Sequence, residues 1–190
     1  DDSIIDSNGQ PLGGAGAANG DFSTGDEYTI NKSITTVVSA GFKSEAAYDG
    51  WILESSETSK TGRTLDKQST TVNAGDDPRD RQYRSILSFD TRSLPNTAVI
   101  VSAQLKVKRQ GVEGADPFGT HGALVVEIRN GVFGTSTELQ AGDFSALASS
   151  GAIRDPLTEL TFSWYSAELS NANLALINKA GRTQFRLFFS

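Results

Sequence analysis

The sequence predicts an all-β fold: two antiparallel sheets stacked as a jelly-roll-like β-sandwich, with one short helix near the C-terminus. Three observations predict it. Ala103, Leu105 and Val107 alternate with Gln104, Lys106 and Lys108, and similar short runs recur along the chain. Period two, apolar on one face and polar on the other, is the pattern of a half-buried antiparallel strand. Glycine supplies 19 of 190 residues, and Gly, Asn and Asp gather between the runs, as turns require. The length suits one sandwich with its own core.

In chain order, residues 1–40 read as a flexible, Gly-rich leader with an extra strand, and residues 41–190 as the β-sandwich domain. Gly9, Gly13, Gly14, Gly16, Gly20 and Gly25 are spaced by small residues that have no face to bury. Tyr28 to Ala40 is rich in β-branched residues and predicts a strand, with Tyr28, Ile30, Ile34 and Val37 as its apolar contacts. Asn31-Lys32-Ser33 has the form of a glycosylation acceptor. Trp51 to Glu54 predicts a strand, Ser55 to Lys67 a polar loop, Ser69 to Asn73 a further strand, and Asn73 to Arg81 an acidic turn.

The stretch Arg81 to Arg109 reads as strand, turn, strand: a central hairpin whose turn carries Pro95, which cannot donate to a ladder. A Gly-rich loop follows to His121. In Gly122 to Arg129, Leu124, Val126 and Ile128 are expected inward and Val125, Glu127 and Arg129 outward. Leu160 to Tyr165 alternates as one strand, with Trp164 in the core. Asn171 to Asn178 predicts the short helix, capped by Ser170 or Asn171 and ended near Gly181. Phe185, Leu187 and Phe189 close the chain as a buried strand.

The central stretch resembles the DNRLRE-type domain, related to a carbohydrate-binding-module-like family of secreted β-sandwich domains. The residues that carry the resemblance are Ser88-Phe89-Asp90, then Thr91 and Ser93-Leu94-Pro95, then Ala98-Val99-Ile100 and Ser102-Ala103. Asp49 to Ser56, Gly75-Asp76-Asp77 and Gly181 to Leu187 match as well, so it covers Tyr48 to Ser190. The resemblance implies a non-catalytic domain of secreted and surface proteins. It also implies a further strand after the one ending at Phe189, whose lack would leave an open groove.

Composition excludes several functions. A formal charge of −6 and a pI of about 4.8 leave no basic stripe for nucleic acid. No run approaches the ~20 apolar residues of a membrane helix, so membrane insertion is not expected. There is no Cys, hence no disulfide and no thiolate chemistry. The chain begins Asp1-Asp2-Ser3, which reads as a processed, secreted or cell-surface form. The lone histidine, His121, reads as a solvated loop residue, and no nucleophile elbow or zinc motif occurs, so no enzyme is expected.

Two site types are expected from residue chemistry. Asp76, Asp77 and Asp80 cluster in one turn and offer hard oxygen ligands to Ca²⁺; Asp21, Asp26 and Glu27 are a second such group. Tyr48, Tyr83 and Tyr165 are candidate platforms for a polysaccharide, since aromatic faces stack on sugar rings. The leading functional expectation is a structural or adhesive subunit that polymerises with itself by strand donation. The alternative is a carbohydrate-binding module.

Overall fold

The computed structural model describes residues 36–190. The chain divides between Ala40 and Gly41. Residues 36–40 are exposed and have no regular structure. Tyr28, Ile30, Ile34, the Asn31 triplet and the group Asp21, Asp26 and Glu27 lie outside the described residues.

From Gly41 on, the expected all-β sandwich is present, with ten strands and two short α-helices among the described residues. The larger sheet contains β1 (Gly50–Glu54), β2 (Gly62–Asp66), β3 (Gly75–Asp76), β4 (Gln82–Asp90), β6 (Leu124–Asn130), β7 (Asp155–Pro156) and β10 (Arg182–Phe189). Its order is β2-β1-β4-β10-β6-β7, with β3 pairing β4 beside β10. The smaller sheet contains β5 (Gln104–Lys108), β8 (Thr158–Thr161) and β9 (Trp164–Glu168), in the order β5-β9-β8. The helices are α1 (Pro117–Thr120) and α2 (Asn171–Leu174). No described helix is long and apolar enough to cross a membrane.

Between the sheets, Leu105, Leu124, Val126, Phe185 and Leu187 are buried as the alternation predicts, and Val107 is partly buried against them. The pairing explains why. Phe185 stands opposite Ile128, Leu187 opposite Val126 and Phe189 opposite Leu124, so three apolar rows face the small sheet.

Several expectations are corrected. The stretch Arg81 to Arg109 is not a hairpin: β4 and β5 belong to different sheets, and the Pro95 connection is a corner between them. A strand lies inside the polar stretch, as β2, and none forms over Ser69 to Asn73. Ser69 and Asp66 side chains instead cap nearby backbone N–H groups there.

The strand β6 is buried on both faces. Val125 and Glu127, expected in solvent, are both buried, and the segment 131–150 places Phe133, Leu139 and Phe144 in a second core with Ile52 and Ile86. The segment carries a 3-10 turn, Ala141–Phe144. It comes so close to β2 that a Cβ on Gly62 would lie 2.3 Å from the Ala141 carbonyl oxygen.

The last strand, β10, is central rather than marginal. It pairs with β4 on one side and β6 on the other, so no inner position of the large sheet is open.

A candidate assembly surface on the small sheet

The small sheet ends in β5 on one side and β8 on the other. Leu169 donates its N–H to the Ala103 carbonyl, and Arg109 donates its own to Ser163. In an antiparallel ladder, bonding direction alternates. Ala103, Leu105, Val107 and Arg109 therefore point their main-chain groups at β9. Gln104, Lys106 and Lys108 point theirs away, and no described strand pairs with that side of β5. Their side chains are exposed.

Upstream of this edge, Val99 and Val101 are exposed at 84% and 64%. They border an apolar groove of about 640 Å³, with Ile100 on the same run and Leu174 and Ile177 opposite. Lys179 sits at the rim, its Nζ donating to the Ala98 carbonyl at 2.9 Å.

At the far end of the same sheet, Leu160 to Tyr165 is not one strand. It folds back as the β8-β9 hairpin. Phe162 and Ser163 form its two-residue turn, with φ of 49° and 69°. Such turns favour Asn-Gly, and a bulky residue in this region costs on the order of 1–2 kcal/mol. The inward set is Leu157, Tyr165 and Ala167, so Leu160, Phe162 and Trp164 are all exposed, Phe162 at 92%. Trp164 is thus a surface residue and not part of the core. No Gly, Asn or Asp in Thr161-Phe162-Ser163-Trp164 signals this in the sequence.

The residues expected to bind sugar are not brought together. Tyr165 is buried and stacks on Phe118, centroids 4.9 Å apart, so it presents no face to a ligand. Arg182 lies over the Tyr48 ring at 4.6 Å, held there by a two-bonded pair with Glu45. Tyr83 packs edge-on against the half-buried Trp51. Tyr83 is near the start of β4 and Arg182 pairs with its last residue, so Tyr48 and Tyr83 serve opposite ends of that strand.

The acidic turn is likewise organised around its own partners. Asp77 accepts from Arg81 Nε and Nη2 at 3.0 and 2.5 Å and from the Arg79 and Arg81 N–H groups. The Arg81 side chain holds its carboxyl down at about 2. Asp76 is raised by burial and lies 3.8 Å from His121 Nδ1, while Asp80 is exposed with φ of 57°. No group of three or more His, Cys, Asp or Glu side chains positioned for a metal occurs among the described residues. His121 packs against the Phe189 ring and is only partly exposed, so it is not freely solvated.

No family model, curated protein or solved structure matches this chain.

Proposed function

We propose that the chain is a non-catalytic extracellular structural subunit that polymerises with itself by strand addition. The free edge of β5 receives the Tyr28 to Val38 segment of a neighbouring copy. The single observation that carries the reading is the row of N–H and C=O groups on Gln104, Lys106 and Lys108 that has no partner strand among the described residues. Such a row is a template for another strand. Lysines on an edge discourage indiscriminate pairing, so the incoming strand must compensate them. Asp26 and Glu27, immediately before Tyr28, carry the complementary charge. Val37, the described part of the donor, is 74% exposed. The resemblance to a family of non-catalytic domains supports the same reading.

Lys106→Pro tests it. The substitution removes the N–H aimed at the incoming strand, at a position whose own ladder does not use it. The expected result is loss of polymers with the fold retained; a folded variant that polymerises as before contradicts strand addition at this edge.

A further inference from the structure

The small sheet carries an apolar projection at one end and an apolar groove at the other. β9 begins at Trp164, directly after the turn that holds Phe162. It ends at Glu168, and Leu169 and Ser170 lead straight into α2, which walls the groove. The two features are separated by the length of β9, about 17 Å at about 3.4 Å per residue. They cannot meet within one molecule.

Both features are costly to leave in water. Phe162 is almost fully exposed and sits in a conformation that its side chain disfavours. Val99 and Val101 are exposed beside a groove whose other wall is Leu174 and Ile177. A groove of about 640 Å³ has room for a phenyl ring and the adjoining Leu160. The charges agree: Glu159, exposed on β8 beside the projection, is opposite in sign to Lys179 at the rim.

We infer that a second copy of this chain fills the groove, with Phe162 and Leu160 of one molecule seated between Val99, Val101, Leu174 and Ile177 of the next. Projection and groove lie on different surfaces, so the contact is heterologous, and repetition builds a polar row along the β9 direction. The contact uses neither the β5 edge nor the residues before Gly41. It stands separately from strand addition.

The absence of cysteine from the chain makes a direct test possible. Ser163→Cys places a thiol at the projection and Val99→Cys one at the groove. Under oxidation, the double variant is expected to give a ladder of covalent multimers. An equimolar mixture of the two single variants should give dimers and nothing longer. Adding Phe162→Asn, which suits the turn better than Phe, should raise the melting temperature and cut the yield of cross-links at least tenfold. A ladder that persists with Phe162→Asn overturns the inference, as does its absence from the double variant.

Charge exchange is the second measurement. Glu159→Lys and Lys179→Glu should each weaken association, and the two together should restore it; a double variant no better than either single one also overturns the contact. All arms are repeated with Lys106→Pro present. The ladder should survive that change, so failure of strand addition and failure of this contact give different results.

Discussion

Arg186 on the central strand and Glu127 on its neighbour face each other directly and form an ion pair in which both side chains are 5% exposed. The remaining Arg186 donors reach the covering segment: Nη1 bonds the carbonyls of Asp143 at 2.8 Å and Ala146 at 2.8 Å. The guanidinium also lies 4.5 Å over the Phe133 ring. Arg154 adds a bond to the other Glu127 oxygen at 3.0 Å. One buried arginine therefore ties the large sheet to the loop that covers it. Beside it, burial between Phe144 and Phe188 brings Arg84 down to about 10.

Removing one member of such a pair strands the other. Glu127→Ala should destabilise the chain by about 3–5 kcal/mol, because Arg186 keeps its charge without its partner. Chemical denaturation followed by far-ultraviolet circular dichroism measures this. Glu127→Leu with Arg186→Met should cost less than Glu127→Ala alone.

Leu105 belongs to the core between the sheets and is 5% exposed. Leu105→Ala should cost roughly 2–5 kcal/mol. The same denaturation experiment reads it, and a change below about 1 kcal/mol would contradict the packing described.

Gly62→Ala should destabilise by roughly 1–3 kcal/mol through overpacking. Its new methyl would meet the Ala141 carbonyl and the Ile52 side chain, at 2.3 and 2.6 Å. Limited proteolysis should show the segment 131–150 cut faster than in the parent chain.

Asp77 predicts a pH dependence. Its folded value, about 2, lies below the ordinary 3.8 because Arg81 bonds the carboxylate. A depressed carboxyl contributes stability that is fully present above the unfolded value. That contribution fades as pH falls from about 4 through 2. Asp77→Asn should lower the melting temperature at pH 7, and the difference from the parent chain should shrink as pH falls below about 4 and vanish only below about 2. Chelator should leave both melts unchanged if Arg81, rather than Ca²⁺, is the partner that matters.

The fold class and the inter-sheet core were legible because alternation is a local signal: Leu105, Val126 and Leu187 each announce their face through their neighbours. What lay beyond local pattern was not. Glu127 reads as an outward residue, and only the segment 131–150, folded across the sheet, makes it an inward one. Phe162 reads as one more alternating position, since its turn has none of the Gly, Asn or Asp that such turns prefer. The β4-to-β5 connection could close a hairpin or cross between sheets with the same residues. An open groove beside the last strand was expected, but β10 is paired on both sides, and a strand edge without a described partner lies instead at β5. Tyr165 alternates like a surface aromatic and a core one alike, and its stacking on Phe118 depends on α1, whose start is signalled only by the Asp116-Pro117 pair.

Amide hydrogen exchange at β5 tests strand addition most directly. Exchange is compared between assembled and dissociated chain, residue by residue. Gln104, Lys106 and Lys108 are expected to become protected on assembly, while Leu105 and Val107, already bonded to β9, do not change. Equal exchange of Gln104, Lys106 and Lys108 in the two states contradicts strand addition.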